Sequence, residues 1–452
     1  MRKYFGTDGV RGIANIELTS ELAFKLGRAG AYVLQRHSKN KDGRTTVFIG
    51  SDTRISKDML SSAIAAGVMS VGGDVVDIGI APTPAIAYLT KKHKADAGIV
   101  ISASHNPMEY NGIKFFNSLG LKLDDSIELE IEEYLSNMDK IDVVISHEHL
   151  GTRVFNESFV LEYEDFLVNA IKTDLKGFKV SLDCANGAAY KVAPNVFSRL
   201  GAEVVTISNS PDGTNINKNC GSTHPENLCK SVIKNNSDIG LAFDGDEDRL
   251  IAVDENGNVI DGDKIMLICA KYLKEQGKLK SNKLVVTVMS NLGLHIASKH
   301  HGIELEITSV GDRYVLENLL ANGYSLGGEQ SGHMIFLDHN TTGDGVLSGL
   351  ILSDIIKSSG KSISELATIM DVYPQILINA KVKNENKNGY MTDPVIKDEI
   401  CKLERIMDGQ GRVLIRPSGT EPLVRVMIEG EDKDNITAMA RDLACTIESR
   451  LG

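Results

Sequence analysis

The sequence predicts an α/β protein: three related mixed α/β domains plus a C-terminal α+β domain around a central cleft. Three observations predict it. A strand–helix–strand plan recurs three times, an unusual polar loop follows each recurrence, and the last 80 or so residues break the plan. Each repeat opens on a β-branched run ending in small or polar residues, at 46–52, 179–183 and 284–288. Each continues into a helix-like stretch, at 57–70, 190–200 and 292–301. A second strand then follows a glycine: Gly73, Gly201 and Gly302. Strand, helix and strand joined by short turns make a βαβ unit. A further helical stretch and a third strand, at 97–101, 239–243 and 324–326, lead into the loops 102–107, 244–249 and 327–333. Ligands of α/β sheets bind beyond the C-terminal ends of strands, so the three loops are expected to face one cleft. From about 370 the pattern changes to strand-like 375–382, helix-like 394–406, strands near 412–415 and 423–429, and helix-like 433–449. The expected domains are therefore 1–153, 154–256, 257–369 and 370–452.

Composition excludes several classes. Of 452 residues, 42% are hydrophobic and 24% charged, which suits a chain with a packed core rather than a disordered one. Acidic residues outnumber basic ones 61 to 49, so a general nucleic-acid or anionic-membrane binder is not expected. An anionic small substrate remains compatible, because local Arg and Lys govern its binding. The start, MRKYFGTDGVRG, lacks a signal-peptide core, and no apolar run reaches membrane-spanning length. The six cysteines are scattered with no CxxC pair, which suits reduced thiols in a cytoplasm.

Five loops carry the chemistry. In 244–249 the carboxylates of Asp244, Asp246 and Asp248 alternate. In an extended segment they would share one side and repel unless a cation sat among them, and hard oxygen ligands suit Mg²⁺ or Ca²⁺. Gly245 would let the backbone curl around the ion. A solvated acidic turn is the plain reading. An EF-hand is disfavoured, because Arg249 stands where that loop needs glycine and the preceding residues read as a strand. In 102–107, Ser102, Ser104, His105 and Asn106 offer a nucleophile with polar neighbours, or an ordinary Asn-Pro turn. Lys114 downstream could act as acid or base, pair with a phosphate, or lie on a solvated face. The glycine-rich 5–12 is neither a dinucleotide nor a P-loop fingerprint, and its functional reading sets Arg11 against a phosphate. In 416–422, Arg416 and the hydroxyls of Ser418 and Thr420, with Arg425 on the same strand face as Leu423, make either a phosphate cradle or a plain hairpin turn. In 328–333, Glu329, Ser331 and His333 alternate, offering donors and acceptors to sugar hydroxyls and amines. His147–His149 and His300–His301 lack metal-pair spacing and read as surface.

Together these loops resemble the α-D-phosphohexomutase superfamily, and within it the branch that acts on glucosamine phosphates. The resemblance spans essentially the whole chain, with five motifs in family order: 5–12, 102–107, 244–249, 328–333 and 416–422. It implies a C-terminal domain like the TATA-binding-protein fold. It also implies that Ser104 carries a phosphoryl group, and that Asp244, Asp246 and Asp248 hold one Mg²⁺ per chain with the Ser104 phosphate as the remaining protein ligand. Arg11 and Lys114 match the basic residues beside the phosphoserine. A cationic site would lower Lys114 toward neutrality for proton transfer. His105, Arg249, Glu329, Ser331 and His333 match substrate contacts, and Arg416, Ser418, Gly419, Thr420 and Arg425 the distal phosphate site. The implied activity is the interconversion of glucosamine 6-phosphate and glucosamine 1-phosphate in the cytoplasm, through a glucosamine 1,6-bisphosphate, feeding UDP-N-acetylglucosamine and cell-wall precursors. The alternative within the superfamily is a phosphoglucomutase or phosphomannomutase. Outside it stand a serine–metal phosphatase and a non-catalytic sugar-phosphate binder. Ser102 at the start of its loop and Gln330 favour the glucosamine branch. Val310-Gly311-Asp312-Arg313 departs from it, since many hexomutases carry a His after that glycine. The expected partner is a small hexosamine phosphate. The sequence leaves the oligomeric state open, a homodimer being one candidate. The source of the first phosphate is open between a protein kinase and self-phosphorylation.

Overall fold

The protein is described by a computed structural model over residues 3–6, 8–37, 44–141, 145–407, 409–418 and 421–452. The repeat is present as shared topology. In the first sheet β1 (Phe5–Gly6), β2 (Gly9–Ile13), β3 (Thr46–Ser51), β4 (Asp74–Ile80), β5 (Ala97–Ile101), β6 (Tyr110–Asn117) and β7 (Arg153–Phe155) lie in the order β1-β2-β6-β5-β3-β4-β7. The second orders β8 (Lys179–Asp183), β9 (Glu203–Ile207), β10 (Ile239–Phe243), β11 (Leu250–Val253) and β12 (Val259–Ile260) as β12-β11-β10-β8-β9. The third orders β13 (Lys283–Thr287), β14 (Glu304–Thr308), β15 (Leu326–Gly328) and β16 (Met334–Phe336) as β14-β13-β15-β16.

Each sheet therefore contains the same unit. Three parallel strands place the first between the second and the third, and a fourth strand runs antiparallel to the third. The central strands AGIVI and IGLAF are buried throughout, as unbroken apolar runs covered on both faces must be. The first strand of every repeat also ends alike. Asp52, Asp183 and Thr287 each accept a hydrogen bond from the backbone N–H two residues on, which turns the chain out of the sheet. The sequence shows three strands per repeat. The fourth, antiparallel one makes the polar loops hairpin connections, held at both ends by the sheet.

The contacts divide the chain into two units. One comprises residues 1–289 and 303–368 and holds all three repeats. The other comprises 290–302 and 369–452, so the helix Leu292–His300 of the third repeat clusters with the C-terminal residues. In that second unit β17 (Gln375–Lys381), β18 (Gly411–Pro417) and β19 (Leu423–Gly430) form an antiparallel sheet in the order β17-β19-β18. Helices Pro394–Met407 and Lys433–Leu451 pack their apolar residues, among them Ile396, Leu443 and Ile447, into the same core as Val424, Val426 and Ile428. Among the described residues no helix is long and apolar enough to cross a membrane. The described cysteines are free thiols.

Candidate active site

Two hairpin loops meet at the serine. Ser104 follows β5, is 1% exposed and has a left-handed backbone, φ 53°. Serine rarely adopts that conformation unless its surroundings impose it. Its Oγ donates to Asp244 Oδ2 at 2.6 Å and lies 3.3 Å from His105 Nδ1, while its N–H donates to Ser102 Oγ at 2.9 Å.

Asp244, Asp246 and Asp248 lie between β10 and β11, all buried, each with a carboxylate oxygen within 4.8 Å of the other two. They converge, but not by alternation along an extended segment. The loop is a turn, closed by the Glu247 N–H donating to Asp244 O at 3.2 Å, with Glu247 left-handed at φ 69°. That reversal sends the Glu247 side chain away from the aspartates, toward Tyr163 and the Val346 N–H. Gly245 serves a purpose other than the expected curl. A Cβ there would lie 2.5 Å from Ser104 O and 2.8 Å from Asn217 Nδ2, so only glycine lets the two loops touch. Strands flank the loop on both sides, which rules out an EF-hand.

The carboxylates suit a hard cation. Asp246 Oδ1 and Asp248 Oδ1 are buried with no hydrogen-bond partner among the described residues. Burial, with Asp248 and Asp246 adding to it, pushes the Asp244 carboxyl well above its ordinary range. Buried oxygens aimed at one another without partners are costly unless a cation joins them.

Lys114 on β6 is 2% exposed. Its Nζ lies 2.8 Å from Asp246 Oδ2, 2.9 Å from Asp8 Oδ2 and 3.5 Å from Asp248 Oδ2. The expectation of a lowered pKa is not met. Burial alone pushes the ammonium down, but Asp246, Asp8 and Asp248 outweigh it and hold the group well above its ordinary value. The sequence points to cations near this lysine but gives no sign of Asp8 beside it. Asp8 lies inside the glycine-rich loop and also pairs with Arg11 at 2.5 Å and Lys122 at 2.6 Å.

Beside this cluster is a cavity of about 500 Å³, lined by Asp8, Arg11, His105, Asp248, Arg249, Asp312, Glu329 and His333 together with Tyr4, Val310 and three glycines. Burial, then Arg249 and Arg11, pushes His105 down to about 4, so its imidazole is neutral near pH 7 between two guanidiniums. Arg249 Nε and Arg11 Nε are buried without hydrogen-bond partners among the described residues, Arg249 Nε lying 3.8 Å from Asp248 Oδ1, and both have a donor to offer an anion. The Gly343 N–H approaches His333 Nε2 at 3.1 Å, and the ring lies between two carboxylates, Nδ1 3.6 Å from Asp248 Oδ2 and Nε2 3.5 Å from Asp312 Oδ2. Glu329 Oε1 accepts the Gly311 N–H at 3.1 Å. Ser331 is exposed and does not line the cavity. Asp312, the departure in the Val310–Arg313 segment, does line it, and Lys122 ties it to Asp8.

In the C-terminal unit Arg416 and Arg425 are direct cross-strand partners. Burial and then Arg425 lower the Arg416 pKa, and Arg425 lies 3.7 Å from the Glu421 carboxylate. Ser418 is buried, its Oγ accepts the Glu421 N–H, and its carbonyl accepts from Lys387 Nζ at 3.0 Å. Lys387, half-buried, lies in the polar stretch 383–388. Gly419 and Thr420 lie outside the described residues. His147–His149 are exposed, as expected of surface histidines.

Sequence reasoning also missed Asp52, Arg54 and Thr83. The signal was available. Asp52 and Arg54 follow the C-terminal end of β3 and Thr83 that of β4, where sheet ligands gather. Thr83 Oγ1 donates to Asp246 Oδ2 at 2.6 Å.

Four family models match in sequence order. They are described as phosphoglucomutase/phosphomannomutase alpha/beta/alpha domain I over residues 2–142, domain II over 158–257, domain III over 261–373 and the C-terminal domain over 377–445. A phosphoglucosamine mutase of Clostridioides difficile is 61% identical over 451 residues, all of both chains. One of Acetivibrio thermocellus is 58% identical over 453 residues, again all of both chains. Among solved structures, a phosphoglucomutase/phosphomannomutase family protein of Burkholderia thailandensis is similar at a TM-score of 0.80 and 24% identity, covering 98% of this chain and 97% of that one. An N-acetylphosphoglucosamine mutase of Aspergillus fumigatus, solved with GlcNAc-6P and magnesium, is similar at a TM-score of 0.70 and 16% identity, covering 100% and 96%. With four matched domains in order and full-length relatives this close, the chain belongs to the phosphoglucomutase/phosphomannomutase family of the α-D-phosphohexomutase superfamily.

Proposed function

We propose that this chain interconverts glucosamine 6-phosphate and glucosamine 1-phosphate, using Ser104 as the phosphoryl carrier and a glucosamine 1,6-bisphosphate as intermediate. One observation carries the chemistry: the Ser104 hydroxyl lies 2.6 Å from the first of three mutually close, buried aspartates. The full-length relatives at 61% and 58% identity, both phosphoglucosamine mutases, favour the amino sugar over glucose or mannose phosphates.

Asp244, Asp246 and Asp248, with the phosphorylated Ser104, would hold one Mg²⁺ per chain. When bound, the ion supplies positive charge against the transferring phosphoryl group and takes up the charge of the three carboxylates. The chain's own residues do the rest. Ser104 presents its oxygen from a backbone that cannot rotate away. Arg11 and Arg249, with their spare N–H donors, neutralise the phosphoryl oxygens. His105, neutral between them, accepts or donates a hydrogen bond without adding charge. Lys114 Nζ, kept charged by Asp246, Asp8 and Asp248, adds positive charge beside the transferring phosphoryl group. Glu329 and His333, which line the same cavity, orient the sugar. Arg416, Ser418 and Arg425 hold the phosphate that is not reacting.

The test is an isomerisation assay on glucosamine 6-phosphate, with glucose and mannose phosphates as competitors and Ser104→Ala as control. The expected result is turnover with highest efficiency on the amino sugar, loss of turnover in the control, and a phosphate on Ser104 by intact mass. Activity retained in Ser104→Ala, or inorganic phosphate released as fast as isomer forms, overturns the reading.

A further inference from the structure

We infer that Arg54, acting with Asp52 and Ser102, is a positioning residue that holds Ser104 in its left-handed conformation and aims its oxygen. Arg54 is completely buried. A guanidinium has five N–H donors in a fixed plane, and here all five are used. Nε donates to Asp52 Oδ2 at 2.8 Å. One terminal nitrogen donates to Pro107 O and to Tyr110 O at 2.9 Å. The other donates to Ser104 O at 3.0 Å and Asn106 O at 2.8 Å. Four backbone carbonyls of one loop thus converge on a single cation, the serine's own among them.

The other side of the serine is tied to the same group. Asp52 Oδ2 also accepts from Ser102 Oγ at 2.6 Å, and Ser102 Oγ in turn accepts the Ser104 N–H at 2.9 Å. Both backbone polar groups of Ser104 therefore lead back to the Asp52–Arg54 pair, one directly and one through a hydroxyl. Asn217 Nδ2 reinforces the carbonyl side at 2.9 Å to Ser104 O and 3.0 Å to Asn106 O. A non-glycine residue at φ 53° relaxes unless its surroundings over-determine it, and this brace over-determines it. Lysine cannot replace the arginine. Its three donors on a flexible stem leave at least two of the five acceptor contacts unmade in a buried site.

The inference rests on the reading of Ser104 as the phosphoryl carrier, and the experiment keeps the two apart. In Arg54→Lys, measured on the full-length phosphorylated enzyme, kcat is expected to fall about 10²-fold, the cost of a misplaced reacting atom. KM for glucosamine 6-phosphate stays within about twofold, because no residue that would contact the sugar is changed. The phosphoserine ³¹P resonance, single in the parent, broadens or splits as the loop samples more than one conformation. A merely structural role would lower the melting temperature and leave kcat and the resonance alone. Should Arg54→Lys not fold, Ser102→Ala loosens the same brace while leaving the guanidinium in place, with an expected fall in kcat of about tenfold at unchanged KM. A folded Arg54→Lys with kcat within about threefold of the parent overturns the inference. So does an unchanged kcat in Ser102→Ala when the lysine variant is insoluble. If Ser104→Ala keeps its activity, the functional reading itself has failed; if Ser104→Ala is inactive while the brace variants are normal, only the brace has.

Discussion

Lys114 and Thr83 share an acceptor, Asp246 Oδ2, and their roles separate by charge. Thr83 adds a neutral donor that fixes the carboxylate's rotation. Groups that orient a metal ligand from behind typically contribute 10- to 100-fold in metal affinity. Thr83→Val should therefore weaken Mg²⁺ binding by about that factor in calorimetry, with no sugar present. Lys114 adds the charge. Lys114→Ala should lower kcat by about 10²- to 10³-fold, the range for losing one preorganised group that stabilises charge in the transition state. Unchanged turnover would remove it from the mechanism. Ser104 and the three aspartates were legible as candidates because each sits in a short loop of unusual composition. Thr83, Asp52 and Arg54 were not, because Pro-Thr-Pro and Ser-Asp-Thr-Arg look like ordinary strand-end turns. Their importance comes from what lies across from them, and that is set by packing rather than by local sequence.

At the scale of elements, function depends on two hairpin loops meeting back to back. The β5–β6 loop carries Ser104 and the β10–β11 loop carries the aspartates, and their backbones touch at Gly245. Gly245→Ala pushes a methyl group to 2.5 Å from Ser104 O, where real Cβ atoms are not found, so one loop must retreat. The expected result is a loss of stability of about 1–3 kcal/mol by denaturant titration, with a loss of activity larger than that destabilisation alone would give. A variant as active as the parent would mean the loops do not act as one piece. Helix–strand alternation made the three repeats readable, since apolar runs such as 97–101 and 239–243 are bounded by glycine and polar turns. The fourth strand of the second and third repeats was not readable as part of the plan. Leu250–Val253 and Met334–Phe336 are too short to show alternation, and only pairing with the third strand defines them. The acidic loop misled for a related reason: alternation in sequence suggested an extended segment, whereas a left-handed Glu247 brings the aspartates together by turning.

On the scale of the molecule, a formal charge of −12 coexists with a site meant for an anionic sugar. The balance is local, with Arg11, Arg249, Lys114 and Lys122 gathered among the carboxylates they neutralise. One acidic pair lacks that relief. Glu247 and Asp344 are both buried beneath the 244–249 loop and share the Tyr163 hydroxyl, which donates to Asp344 Oδ2 at 2.8 Å and lies 3.4 Å from Glu247 Oε2. Burial pushes Asp344 up to about 6, against hydrogen bonds from the Leu347 N–H, Tyr163 and Asn340 that hold it down. A carboxyl raised in the folded state favours folding while protonated, and that contribution is lost as pH rises from about 4 through 6. Asp344→Asn keeps an oxygen to cap the helix Gly345–Ser359 and removes the second charge. The variant should therefore match the parent near pH 4 and exceed it near pH 8 by on the order of 1 kcal/mol or more, since each tenfold change in a proton-binding constant is worth about 1.4 kcal/mol. Melting curves of both proteins across that range decide it. A difference that stays constant with pH would show that the two carboxyls do not share their charge in the fold.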